Sequence, residues 1–286
     1  MVGDFLYNML SVMGLKVTFQ KAFSKKNRAL LAELVRTDFK LRYQGSVLGY
    51  AWSLLRPMLM FAILYVVFVK FLRIGGDIPH YPIYLLFGIV LWIFFADTTA
   101  QSLGSIVVRG DLIRKIKIPR WMIVFSSTIG ALINLGFNLI VIALLMLLSK
   151  AVPMDTFYLL PLYLVEIYIF GLGLSLFLSA AFVKYRDIGY IWEVCLQAGF
   201  YLTPILYPLA LVANVTFQKL LLLSPMAQAI QDARYAIVSH DDKVITTWKI
   251  FDGGWYAFIP LLIVFSMFVL GLMYFKSQSA SFAENL

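Results

Sequence analysis

Cysteine, histidine and recognisable catalytic signatures are scarce in this chain, and each scarcity excludes a class of function. The single cysteine, Cys195, sits inside an apolar run, so there is no disulfide framework. The two histidines, His80 and His240, lie far apart without ligand spacing, so no metal site is expected. The sequence has no G-x-x-x-x-G-K-[ST] nucleotide loop, no H-E-x-x-H and no G-x-S-x-G, and no glycine is followed by lysine. No catalytic residue is therefore assigned, and no cofactor is expected on this chain. A membrane acyl- or glycosyltransferase would need a positioned base or metal at one membrane face, and the histidine count argues against it. Internal repeats are also missing, which weighs against a repeat-built secondary carrier. The alternating ten-residue segments of a membrane β-barrel are absent as well.

What the chain does have is long apolar runs. Of its 286 residues 62% are hydrophobic and 16% aromatic, with a mean hydropathy of +0.86, where a soluble domain would be about 45–50% apolar. A hydrocarbon core of about 30 Å needs roughly 20 helical residues, and lipid offers the backbone no partners, so each span must be a helix. The pattern predicts an all-α polytopic membrane protein with six spans, at 48–69, 81–103, 121–148, 157–183, 188–206 and 255–275. Residues 5–17 are apolar, but Asp4 precedes them and no A-x-A site follows, so 1–27 reads as a cytoplasmic or interfacial extension rather than a signal peptide. Trp and Tyr near span ends (Tyr50, Trp52, Tyr81, Trp121, Tyr207, Trp255 and Tyr256) fit an aromatic belt, or equally helix packing.

The net charge of +9 belongs to the loops rather than to nucleic acid. Sixteen Lys/Arg fall on the side that carries residues 1–47, the loop after the second span, Lys184, Arg186 and Lys276; seven fall on the other side. This bias places both termini in the cytoplasm.

Three stretches are neither spans nor ordinary loops. On a helix over residues 28–44, Leu30, Leu31, Leu34, Val35, Phe39 and Leu41 share one half and Glu33, Arg36, Thr37 and Lys40 the other. This is an amphipathic helix suited to the membrane interface. Asp38 and Arg42 fall on its apolar half four residues apart, placed to pair with each other or with other helices. Residues 104–120 are short, basic and amphipathic, either a solvated loop or a docking helix for a cytoplasmic partner. Residues 208–254 hold two segments too short to span, which fit helices that dip in from outside and return.

Charges within the spans are few: Arg56, Asp97, Glu166 and Glu193. Each costs roughly 2.5–3.5 kcal/mol at membrane depth, so each is a functional candidate, although four scattered charges make no proton relay. Glu166 is the deepest acid by sequence count, lining a polar path or capping a structural contact. Asn134 and Asn138 read as interhelical hydrogen-bond glue, and Gly171, Ser175 and Ser179 as a small-residue packing stripe. Aromatic residues crowd the first span (Tyr43, Tyr50, Trp52, Phe61, Tyr65) and the fifth (Tyr190, Trp192, Phe200, Tyr201, Tyr207). Such rings pack or anchor, and they also offer flat amphipathic surfaces over which sugar rings can slide.

The run from Arg36 through Asp38, Lys40, Arg42, Tyr43, Gly45, Ser46, Leu48 and Gly49 to Trp52 resembles the entry signature of the polysaccharide-export permeases, a branch of the type-2 ATP-binding cassette (ABC) permeases. The match continues through Asp111-Leu112-Ile113-Arg114-Lys115 to Pro119-Arg120, then Gly171–Gly173 with Tyr185-Arg186-Asp187-Ile188, then Thr203-Pro204-Ile205-Leu206-Tyr207-Pro208 and Ser224-Pro225. The similarity runs in order over about residues 28–280. Departures are the Arg56 that precedes Pro57 and the long N-terminal extension.

The resemblance implies a transmembrane domain over 28–286, working as two copies of this chain with two copies of a separate ATPase subunit that carries ATP and Mg. Arg36, Asp38, Lys40 and Arg42 would belong to an interfacial gate helix. Asp111, Leu112, Ile113, Arg114, Lys115 and Pro119 would belong to a coupling helix docked in the ATPase. Spans one and five would line a channel for a lipid-linked glycan, with Tyr43, Tyr50, Trp52, Phe61, Tyr65, Glu166, Phe200, Tyr201 and Tyr207 along it. The short outer helices would form an external gate. The implied setting is the bacterial cytoplasmic membrane. Other readings are an ABC permease for another lipid or drug, a channel, or a membrane transferase.

Overall fold

The computed structural model describes residues 25–282 apart from 44, 47, 75–77, 116–117, 152–154, 239, 242–243 and 281. The expected extension over 1–27 therefore lies almost wholly outside the described residues. Every regular element among the described residues is helical. In chain order these are α1 (Lys25–Tyr43), α2 (Trp52–Leu64, continued by a π-helical stretch Tyr65–Phe71), α3 (Tyr81–Leu103), α4 (Ser105–Val108), α5 (Gly110–Lys115), α6 (Trp121–Leu148) and α7 (Leu160–Lys184). Next come α8 (Ile188–Leu202), α9 (Val215–Leu222), α10 (Pro225–Ile237), α11 (Thr247–Ile250) and α12 (Ile259–Ser279).

Among the described residues five helical stretches are long and apolar enough to cross a membrane: Trp52–Phe71, Tyr81–Leu103, Trp121–Leu148, Phe157–Lys184 and Trp255–Ser279. The second and third carry the bounds the apolar runs predict. The first starts later, because Gly49 takes a positive φ of 48° in the turn Gly49–Ala51 and its N–H donates to Ser46 Oγ at 3.2 Å. The fifth expected span differs most. α8 has only 15 residues, about 22 Å at 1.5 Å per residue, and the chain continues through buried, non-helical Thr203–Leu206.

α3 is the centre of the bundle, buried along most of its length between α6 and α7. The stripe of Gly171, Ser175 and Ser179 is buried on α7, where Ser175 Oγ donates to Thr98 O at 3.0 Å. α7 also crosses α12 at Gly173 and Gly271, so closely that a Cβ on Gly271 would fall onto the Gly173 carbonyl. The outer segment returns as the expected pair of short helices, but α10 is buried almost throughout, against α7, α3 and α12. Its apparent amphipathic face is therefore not a solvated one.

Candidate functional site

α2, α3, α6 and the start of α8 enclose an open cavity of about 680 Å³. Arg56, Trp52 and Glu193 stand exposed at its mouth, while Val90, Phe94, Asn134, Leu135 and Asn138 form a buried floor. Arg56 Nη1 lies 3.7 Å from Asp97 Oδ1, with the Arg56 side chain 72% exposed. That is a loose, partly solvated pair of small energetic weight. Trp192 lines the wall, and its indole N–H donates to Thr99 Oγ1 at 3.0 Å. Asn138 Nδ2 donates to Asn134 O at 2.8 Å and to Ser53 O at 3.3 Å. Asn138 is thus the interhelical glue expected of it, joining α6 to α2.

A smaller cavity of about 310 Å³ adjoins the first, and Ala100 and Gln101 line both. Asp38 of α1, Arg109 and Ser127 line this second space. Here Asp38 has taken a partner on another element: its carboxylate pairs with Arg109, Ser126 Oγ donates to Asp38 Oδ2 at 3.0 Å, and Arg109 Nη1 donates to Ser126 Oγ at 3.0 Å. Burial pulls the Arg109 guanidinium below its ordinary pKa, so a facing carboxylate is what this site needs to keep it charged. The triangle ties the amphipathic helix to the turn between α4 and α5 and to α6. Arg120 Nη1 donates to Ser279 O, joining the start of α6 to the end of α12. Asp38→Asn or Arg109→Gln should each cost about 1.5–3 kcal/mol, the worth of a charged hydrogen bond. The Asp38→Arg/Arg109→Asp exchange should recover part of that loss; thermal unfolding of the four variants measures the coupling.

A third constellation sits beneath α10, at the far end of α3. Arg234 is fully buried, with Nε donating to Tyr84 O (2.9 Å), Nη1 to Pro204 O (2.7 Å) and Gln231 Oε1 (3.2 Å), and Nη2 to Ile205 O (2.8 Å). The Tyr84 ring lies 3.9 Å from the guanidinium carbon, and the Tyr84 hydroxyl donates to Gln231 Oε1 at 2.7 Å. The Tyr81 hydroxyl donates to Leu206 O at 2.8 Å. The carbonyls left over where α8 stops are thus capped by α10 and α3, which is what irregular backbone at this depth requires. Beside this knot, Asp232 accepts from Gln228 Nε2 at 2.9 Å and from Thr247 N at 3.0 Å. Burial pushes its carboxyl above the usual carboxylate range, and these hydrogen bonds pull it partly back.

The expected channel residues separate into these places. Trp52 lines the large cavity. Phe61 and Tyr65 pair along α2, with ring centroids 5.7 Å apart. Phe200 is buried against Trp92, Tyr201 is 66% exposed, and the Tyr207 hydroxyl donates to Leu202 O at 3.2 Å. Glu166 is buried beside Gln228 and Asp232 of α10, away from the large cavity. The side chains of Tyr43, Tyr50 and Arg42 lie outside the described residues. Arg36 and Lys40 are exposed on α1, on the face away from Leu34.

In the segment expected to couple, α4 and α5 replace one continuous helix. Asp111, Arg114 and Lys115 are exposed, Leu112, Ile113 and Pro119 half-buried, and Ile113 packs against Ile106, Ile123 and Val124. Asp111 in the first turn and Arg114 and Lys115 in the last complement the helix dipole. Sequence reasoning missed Gln101, Arg109, Asp232 and Arg234 as site residues. For Arg234 the available signal was weak: it stands with Gln228, Gln231 and Asp232 on a short helix that also carries several alanines.

The profile of the ABC-2 type transporter family matches residues 29–238. The O-antigen export system permease protein RfbA of Klebsiella pneumoniae is 27% identical over 263 residues, covering 90% of this chain and 95% of that protein. Its namesake from Myxococcus xanthus is 29% identical over 214 residues, 74% of this chain and 82% of the other. The polysialic acid transport protein KpsM of Escherichia coli is 23% identical over 213 residues, 73% and 80% of the two chains. With close to three quarters of its length matched, as a multi-pass helical membrane protein, the chain belongs to the ABC-2 type transporter family.

Proposed function

We propose that this chain is the permease subunit of an ATP-driven exporter that carries a lipid-linked polysaccharide across the bacterial cytoplasmic membrane. The observation that carries the reading is the pair of adjoining cavities. They run from the Asp38–Arg109 contact at the amphipathic helix to the Trp-lined space between α2 and α8. A polymer passing outward from a gate helix needs such a graded polar and aromatic path. The names of the relatives support the cargo class.

In this reading two copies of the chain face each other through α2 and α8, whose apolar outer faces (Leu59, Ile63, Val66; Tyr190, Ile191, Val194) are exposed. α8 with Thr203–Tyr207 makes the fifth of six passes, and both termini lie in the cytoplasm. The transmembrane domain covers 28–286. α1, with Arg36, Asp38, Lys40 and Arg42, is the gate helix. α4 and α5, with Asp111, Leu112, Ile113, Arg114, Lys115 and Pro119, dock two copies of a separate ATPase, where ATP and Mg bind and hydrolysis occurs. Tyr43, Tyr50, Trp52, Phe61, Tyr65, Phe200, Tyr201 and Tyr207 are proposed to face the moving glycan, and Glu166 to serve the outer gate.

The test is reconstitution with a candidate ATP-binding cassette subunit from the same organism. Co-purification is expected, with ATPase activity that Arg114→Glu/Lys115→Glu uncouples from export while the chain still folds. Failure to bind any such ATPase, or coupled activity untouched by the charge reversal, would sink the proposal.

A further inference from the structure

The wall of the large cavity carries more acid than base. Asn138 spends its NH₂ on the carbonyls of Asn134 and Ser53. Only the NH₂ can face two carbonyls, so the amide orientation is fixed and Oδ1 is left over. That oxygen and Gln101 Oε1 are closed off from the cavity, with no hydrogen-bond partner among the described residues. Asp97 and Glu193 add carboxylates to the lining. Trp192 cannot donate into the cavity, because Thr99 Oγ1 already holds its N–H. Arg56 is the one cationic side chain among the lining residues, and it leans on Asp97.

Carboxylate oxygens on the lining, at Asp97 and Glu193, suit a ligand rich in hydroxyl donors. Two formal negative charges against one positive disfavour a ligand that brings an anion into the space. Trp192 is held in orientation by its hydrogen bond and by an edge contact with Phe95, at 6.3 Å between centroids. With Trp52 at the mouth it offers rings on which the C–H faces of a pyranose can pack. A volume of about 680 Å³ falls in the range of small-molecule sites.

We propose that this cavity is a subsite for an uncharged sugar ring, and that Asp97 and Glu193 make it select neutral glycans over glycans bearing carboxylates. The inference rests on reading the chain as a glycan permease, and it adds the charge class of the cargo and the residues that set it. Asp97 and Glu193 accept from sugar hydroxyls, and Arg56 stays paired with Asp97 at the rim.

Equilibrium dialysis of the detergent-solubilised permease–ATPase complex, with labelled maltotriose and labelled trisialic acid, tests it. Maltotriose should bind at least about tenfold more tightly, a difference near 1.4 kcal/mol. Trp52→Ala, at the exposed mouth, should weaken maltotriose by a similar factor. Asp97→Asn/Glu193→Gln should bring trisialic acid close to maltotriose, and Glu193→Gln alone, at an exposed position, should do so in part without risk to folding. Equal binding of the two probes by the unaltered complex overturns the proposal, as does selectivity that the carboxylate variants leave intact. If neither probe binds while the complex still exports a neutral lipid-linked glycan, the subsite is wrong and the permease reading stands. If the complex exports no glycan of either class, the permease reading itself fails.

Discussion

Gly88→Ala should be about as damaging as loss of Arg234, and the two changes together should be milder than their sum. A Cβ on Gly88 would fall inside the Arg234 guanidinium, so α3 lacks a side chain there to let the arginine pass. Arg234→Ala orphans the carbonyls of Pro204 and Ile205 in a buried place and removes the second donor to Tyr84 O, which keeps its bond within α3. At about 1–3 kcal/mol for each unsatisfied group, a large share of the margin of a marginally stable protein is lost. Gly88→Ala expels the guanidinium from the same place and ends in the same deficit. In the double variant the new methyl occupies part of the volume the arginine has left. The interaction energy should therefore be stabilising by about 1–3 kcal/mol, within the range for residues in direct contact. Fluorescence-detected thermal unfolding of the four proteins in detergent reads it. Additive losses would mean that Gly88 and Arg234 do not share one site.

The second large effect is expected where α7 crosses α12. Gly271→Leu must separate two backbones that touch, because its side chain would start from the Gly173 carbonyl, and a Cβ on Gly173 would lie 2.7 Å from Phe268 Cα. Backbone cannot swing aside as a flexible side chain can. Close approach between small residues is also what holds helices together where lipid is as apolar as the core. The cost should exceed the about 1–3 kcal/mol usual for overpacking and emerge as loss of folded protein after solubilisation. Gly136, on an open face of α6 where an added Cβ would meet nothing within 4 Å, serves as the control: Gly136→Leu should be neutral.

How much of this could be read from the chain differs by element. Tyr81–Leu103 and Trp121–Leu148 take the bounds their apolar runs predict, because hydropathy over twenty residues is a local property and lipid leaves the backbone a single solution. The partner of Asp38 was not local. Spacing offered Arg42 four residues on, whereas Arg109, 71 positions away, wins because it is itself buried and needs a countercharge. Arg234 counted as one more cation on the outer side. Its burial depends on Gly88 and on the end of α8, neither of which a window around residue 234 contains. The cavity was half legible: Trp52 and Asn138 stood out in the sequence, but the unsatisfied amide oxygens became visible only once α2, α3, α6 and α8 were assembled around them. α8 was overextended because Thr203–Tyr207 is apolar enough to prolong the run, while Pro204 and Pro208 break it.

That early stop has an energetic consequence for anything polar moving beside α8. The work of carrying a hydrated group through a low-dielectric slab depends on how far it travels without polar neighbours. A regular span would present about 30 Å of apolar wall, whereas α8 presents 15 helical residues, about 22 Å, and then a bend whose carbonyls are already anchored to Arg234. The insulating stretch is shorter by about a quarter on this side of the bundle, and the saving is fixed in the backbone rather than supplied anew in each transport cycle.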